Sequence, residues 1–150
     1  MIKDPLSDYG VALNSTGHGV FPGLAMGIRV QKNVIVSGNL IAAPVSGGGI
    51  FFGDSEDSLI TNNIISDVPN GQRYVRLSHS APGDQQDRIT LRGNKLVGAT
   101  TGVGSFGIWL DGVDTRNAVV EDNDFRGLTG SAIAKYQDSG LSTYANRNRM

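Results

Sequence analysis

Apolar positions recur in this chain at fixed distances from a repeated asparagine. The asparagines are Asn14, Asn39, Asn63, Asn94, Asn123 and Asn148, spaced by 25, 24, 31, 29 and 25 residues. Three residues before them sit Val11, Val36, Ile60, Leu91, Val120 and Ala145. Two residues after sit Thr16, Ile41, Ile65, Leu96, Phe125 and Met150. Five before sit Tyr9, Val34, Ser58, Ile89, Ala118 and Thr143. Self-similarity with a period in the twenties is the signature of a solenoid. Within a unit the apolar residues alternate, Val34 with Val36 and Ile89 with Leu91. A spacing of two places them on one face of a strand.

A second short strand precedes each asparagine strand. It reads Gly27-Ile28-Arg29-Val30, Gly49-Ile50-Phe51-Phe52, Tyr74-Val75-Arg76-Leu77, Gly107-Ile108-Trp109-Leu110 and Ala132-Ile133-Ala134-Lys135. A third strand is expected just after the asparagine. A leucine-rich repeat has a similar period but needs leucines at offsets this chain lacks. Short strands joined by Gly, Asn, Asp and Ser turns predict an all-β solenoid, a parallel β-helix of about six coils in a single domain spanning 1–150. At the spacing between paired strands it is on the order of 25–30 Å long. The asparagines fit a mechanical role. Asn tolerates the positive φ of a sharp bend, and stacked amides can bond from coil to coil.

Composition agrees. The chain has 150 residues, 39% hydrophobic residues and 21 glycines, which suits thin coils with many turns. The net charge of −1 gives no reason to expect a nucleic-acid partner. No apolar run approaches the length of a membrane span, and no signal-peptide pattern opens the chain. With no cysteine, disulfides and thiolate metal sites are excluded. The first eight residues include Pro5 and do not read as a capping helix. Met150 falls on an inward position. Open strand edges invite pairing. The chain therefore reads as a segment of a longer solenoid with covalent neighbour domains, or as a homo-oligomer whose partner covers an end.

The run from Gly27 to about Lys135 resembles right-handed parallel β-helix proteins of the pectate-lyase-like superfamily. Within that group it is most similar to the later coils of the mannuronan C5-epimerase catalytic module. The resemblance is carried by Gly49-Ile50-Phe51-Phe52-Gly53-Asp54 leading to Asn62-Asn63-Ile64-Ile65. It continues in Arg88-Ile89-Thr90-Leu91-Arg92-Gly93-Asn94-Lys95-Leu96 and Val119-Val120-Glu121-Asp122-Asn123-Asp124-Phe125, and in the loop after Leu77. It implies a uronate polysaccharide as substrate class and an extracellular or virion-surface location. The epimerase motif Y-G-F-D-P-H has no counterpart: Tyr9-Gly10 runs into Val11-Ala12, and Asp4-Pro5 into Leu6. The family's catalytic tyrosine and histidine are therefore not carried over. Viral tailspikes share the coil pattern.

Aligning the second strands on Ile28, Ile50, Val75, Ile108 and Ile133 gives two outward columns. One is Arg29, Phe51, Arg76, Trp109 and Ala134; the other is Gln31, Gly53, Ser78, Asp111 and Tyr136. Aromatic faces pack on sugar rings, and Arg pairs carboxylates. Phe51, Arg76, Trp109, Tyr136 and Arg29 are thus the expected substrate-binding residues. The same side chains would equally cover loops or a subunit interface. His79 opens the insertion after the Arg76 strand. In the catalytic reading it abstracts a proton α to a uronate carboxylate held by Arg76, with Asp111 nearby. An ordinary polar surface is the competing reading, and His18 in Gly17-His18-Gly19 carries less signal still. A Ser78–His79–Asp111 triad is disfavoured, since adjacent Ser and His seldom have the geometry.

Acidic residues gather at turns: Asp54, Glu56 and Asp57, then Asp111 and Asp114, then Asp122 and Asp124. Paired carboxylates can hydrolyse glycosidic bonds or bind Ca²⁺, although turn acids are usually solvated. Ca²⁺ is the one cofactor left open; no phosphate loop, H-E-x-x-H or calcium-binding nonapeptide is present. Two function classes stand. One is a carbohydrate-active enzyme, a lyase, epimerase or hydrolase. The other is a non-catalytic binding or structural module.

Overall fold

The computed structural model describes residues 2–3, 11–13, 31–42, 48–53, 55–69, 71–78, 86–99, 105–111, 115–129, 133–138 and 142–150. All regular structure among them is β. In chain order the strands are β1 (Ile2–Lys3), β2 (Val11–Leu13), β3 (Gln31–Lys32), β4 (Ile35–Ser37), β5 (Leu40–Ala42) and β6 (Ile50–Gly53). Next come β7 (Ser55–Glu56), β8 (Leu59–Thr61), β9 (Ile64–Ser66), β10 (Arg73–Ser78), β11 (Gln86–Asp87) and β12 (Thr90–Arg92). The last are β13 (Lys95–Ala99), β14 (Ser105–Asp111), β15 (Thr115–Glu121), β16 (Asp124–Thr129), β17 (Ile133–Asp138) and β18 (Ser142–Asn146).

They form three sheets, visited in rotation. The first has the order β1-β5-β9-β13-β16 and the second β2-β6-β10-β14-β17, while the third joins β3, β4, β7, β8, β11, β12, β15 and β18. Every strand pairing is parallel, as in β12 with β8 and β10 with β14. Each strand therefore pairs with the strand one repeat away, and the arrangement fits a parallel β-helix.

The apolar columns stack inside. Val36 pairs with Ile60, Ile60 with Leu91, and Leu91 with Val120, and all four are buried. Ile41, Ile65, Leu96 and Phe125 form the matching buried column of the first sheet. Burying each such side chain contributes about 1.5–3 kcal/mol. Ser58 is the polar exception in the column of Ile89 and Ala118. It is buried, but its hydroxyl accepts from Val34 N at 3.1 Å and donates to Glu56 O at 2.7 Å.

The asparagines form a ladder at the corner between the third and first sheets. The Nδ2 of Asn39, Asn63, Asn94 and Asn123 donates to Oδ1 of the asparagine one coil on, at 3.0, 2.9, 2.9 and 3.0 Å. The same Oδ1 accepts the backbone N–H of the donating residue, at 3.0–3.1 Å. The second Nδ2 proton of Asn63, Asn94, Asn123 and Asn148 reaches back to the carbonyls of Val36, Ile60, Leu91 and Val120. Both donors and both lone pairs of Asn63, Asn94 and Asn123 are thus used. The positive φ falls one residue earlier than expected, on Gly38 (69°), Asn62 (55°), Gly93 (65°), Asp122 (55°) and Arg147 (51°). The bend and the amide ladder are divided between two neighbours. A second left-handed column holds Asn33, Asp57, Arg88 and Asn117.

Two expectations are corrected here. Val11 does not stack with Val36; it pairs with Ile50 in the second sheet, while Ile2 pairs with Ile41 in the first. The first unit therefore advances 39 residues from Ile2 to Ile41, which spacing from Asn14 misses. Asn14 itself lies outside the described residues. Met150 is 62% exposed, because Phe125 covers its column from one side only and no described strand lies on the other.

Candidate functional site

The second sheet carries the outward column. Register places Phe51 beside Arg76 and Arg76 beside Trp109 on three successive coils. All three side chains are half-buried. The Arg76 guanidinium carbon is 5.6 Å from the Phe51 ring centroid and 5.1 Å from that of Trp109. Phe51, Arg76 and Trp109 are therefore brought together as the spacing implied. Cation and ring attract through the ring quadrupole.

Asp111 pairs in register with Ser78, two residues along from Trp109 and Arg76, and so shares the face by position. Tyr136 takes a different column. It pairs with Ile108, while Gln137 stands opposite Trp109 and Ala134 opposite Phe106. The alignment on Ile133 was three residues out, because Ile133 pairs with Ser105. On the other side, Ala12 pairs with Phe51, taking the neighbouring place the alignment gave to Arg29. Arg29, His79 and His18 lie outside the described residues. His79 directly follows Ser78 in the chain.

Arg73 belongs to this face, and strict alternation hid it. Counting back from outward Arg76 makes Tyr74 outward and Arg73 inward. Instead Tyr74 and Val75 are both fully buried. Two consecutive inward residues reset the parity, and Arg73 comes out beside Trp109 with its guanidinium carbon 4.0 Å from the ring centroid. The neighbouring coils repeat the device with Gly49-Ile50 and Gly107-Ile108, all buried. The glycine is needed: a Cβ on Gly49 would lie 2.5 Å from the Tyr74 carbonyl oxygen and from Ile65 Cγ2. That recurring glycine was the available signal.

The corner acids are engaged with cations. Arg88 bonds Asp57 through Nε (2.5 Å) and Nη2 (2.9 Å), and also contacts Asp87. Arg147 bonds Asp122 through Nε (2.8 Å) and Nη2 (2.9 Å), and reaches Glu121 at 2.9 Å. Lys32 pairs Glu56 at 2.8 Å, and Arg126 pairs Asp124 at 2.7 Å. The hydrogen bonds from Arg88, Arg147 and Arg126 hold the carboxyls of Asp57, Asp122 and Asp124, respectively, below the usual range. The Glu56 hydrogen bond raises Lys32 in the same way. Arg88 and Arg147 occupy left-handed corners, unfavourable for arginine by about 1–2 kcal/mol, and their bidentate bonds to the corner acid one coil back hold them there. Among the described residues no cluster of three or more Asp, Glu or His has metal-binding geometry. Asp54 and Asp114 lie outside those residues.

A separate apolar patch flanks the asparagine corner on two coils. Ile35 pairs with Leu59 and Leu40 with Ile64, and all four are exposed, Ile35 by 66%. On the next coil the same positions are Thr90 and Lys95.

No known protein family, curated protein or solved structure matches this chain.

Proposed function

We propose that the chain is a polysaccharide-interacting, right-handed parallel β-helix module of pectate-lyase-like type, related to enzymes that act on uronate polymers. Right-handedness follows the general preference of parallel crossover connections on twisted sheets. The observation that carries the binding reading is Arg76 lying between two rings, 5.6 Å from Phe51 and 5.1 Å from Trp109. The rings offer apolar area to sugar faces, and the guanidinium pairs a carboxylate. Asp111 joins them by register. The catalytic form of the proposal adds His79 as the base, with Arg76 holding the uronate carboxylate. An acidic polymer as ligand goes with an extracellular or virion-surface setting.

Titration with alginate, pectate and a neutral glucan, followed by Trp109 fluorescence, tests the binding reading. A response to the uronates that is lost in Arg76→Ala supports it. Silence toward all three polymers, with Trp109 shielded from quenchers, removes it. Catalysis is tested by incubation with the same uronates. An unsaturated product absorbing in the ultraviolet marks a lyase, and a changed epimer ratio by NMR marks an epimerase. Either must disappear in His79→Ala.

A second reading, a non-catalytic structural or receptor-binding segment, is favoured by the exposed aliphatic residues Ile35, Leu40, Leu59 and Ile64. Exposed apolar patches mark contact surfaces. Light scattering on the wild type and on Ile64→Lys tests it: association that the lysine abolishes supports a self-associating segment.

A further inference from the structure

We propose that the aliphatic patch at the asparagine corner, with Lys95 and Arg92 beside it, inserts into the surface of an anionic lipid bilayer. The inference rests on the second reading above, that these side chains form a contact surface, and names what they contact. Ile35 and Leu59 stand in register on the third sheet, Leu40 and Ile64 on the first, and the left-handed bend at Gly38 and Asn62 separates the two columns. The stretches 33–42 and 58–66 that carry them contain no charged residue. Their polar side chains are occupied with one another: the Thr61 hydroxyl donates to that of Ser37 at 3.1 Å, and the Asn39 amide donates to Asn63 Oδ1 at 3.0 Å. The patch therefore leaves water at little polar cost.

Shape, size and charge select the occupant. Outward side chains diverge across a bend, so a flat rigid partner meets one column at a time, whereas acyl chains close around both. Four side chains are also far fewer than the roughly 20–30 residues that each side contributes to a stable protein interface. On the next coil the matching stretch, 89–97, brings in Arg92 and Lys95, both exposed. Lys95 is the register neighbour of Ile64 and makes no salt bridge among the described residues. Arg92 comes no closer than 3.4 Å to Asp122 and 3.5 Å to Glu121. Those acids are bound at 2.8–2.9 Å by Arg147, and Asp124 is bound at 2.7 Å by Arg126. Cations bordering an uncharged apolar surface match anionic headgroups above acyl chains. A second copy laid coil against like coil brings the cations together instead. The net charge of −1 does not oppose the contact, because the attraction acts within a Debye length, about 8 Å in physiological salt.

Co-sedimentation with vesicles tests the proposal. The wild type should bind vesicles of equal phosphatidylcholine and phosphatidylglycerol more tightly than vesicles of phosphatidylcholine alone, and high salt should remove the difference. Lys95→Gln should weaken binding to the mixed vesicles by roughly fivefold, the scale of one cation at an anionic surface, and leave binding to phosphatidylcholine unchanged. The double variant Ile35→Ser, Ile64→Ser should lose binding to both by roughly tenfold or more. Circular dichroism checks that the variants fold. Failure of the wild type to bind the mixed vesicles overturns the proposal, as does unchanged binding by the double variant. If light scattering without lipid shows association that Ile64→Lys abolishes, the occupant is a second copy: the lipid proposal falls and the contact-surface reading stands.

Discussion

Asn94 donates its backbone N–H and its side-chain amide to one atom, Oδ1 of Asn123, at 3.0 and 2.9 Å. Its own Oδ1 accepts the same pair of bonds from Asn63. Only a side chain with two donors and an acceptor fits such a position, and Asn94 is fully buried.

Asn94→Asp should therefore destabilise strongly. The carboxylate keeps the acceptor but presents an oxygen to the Ile60 carbonyl and to Asn123 Oδ1, where donors stood. An uncompensated buried charge costs about 3–5 kcal/mol. Burial raises the pKa of the introduced carboxyl, so its penalty should shrink as pH falls through that value and the group becomes neutral. Urea unfolding at several pH values reads both effects.

Leu91→Ala should cost about 2–5 kcal/mol, as a truncation inside the stacked column. The residue before it in β12, Thr90, is only partly buried, so Thr90→Ser should stay within about 0.5 kcal/mol. Chemical denaturation of the two variants measures the contrast. Similar costs would place the core on the wrong face.

Two glycines should differ in how well they tolerate a side chain. Gly38 has φ +69° and nothing within 4 Å of a built Cβ. Gly38→Asn repeats the residue found at the matching corner, Asn62, and should change stability by less than about 1 kcal/mol. Gly49→Ala pushes a methyl into the Tyr74 backbone and should cost about 1–3 kcal/mol or more. Thermal melts distinguish them.

Acid should weaken the corners before the core. Asp57, Asp122 and Asp124 have lowered pKa values in the folded chain, owing first to hydrogen bonds from Arg88, Arg147 and Arg126. Their stabilisation is fully present above the unfolded aspartate pKa, about 4. It is lost as pH falls from there through the lower folded values. In Arg88→Gln the Asp57 carboxyl should titrate closer to the ordinary range, which carboxyl NMR follows. An unchanged Asp57 midpoint would count against the pairing.

The interior columns were legible because their offsets from the asparagine set the pleat. Val36, Ile60, Leu91 and Val120 fall where a spacing of two puts them. The ladder was legible from the recurrence itself. Four features were not. The left-handed residue precedes the asparagine, and its column mixes Gly, Asn, Asp and Arg with no shared letter. The Val11 segment sits on another sheet because its unit is longer than the rest. Arg73 was hidden because alternation carries no information about two consecutive inward residues, and Tyr136 because β17 meets β14 three residues out of the assumed register. Phe51, Arg76 and Trp109 were found because their strand is regular from Ile50, Val75 and Ile108 onward.

Because every rung of the asparagine corner is bonded in the same sense, each coil offers its successor the same socket. Excising residues 63–93 would bring Asn39 up against Asn94, an asparagine meeting an asparagine as before. The number of rungs therefore changes only by whole turns, while the turns themselves differ in length, from 24 residues between Asn39 and Asn63 to 31 between Asn63 and Asn94.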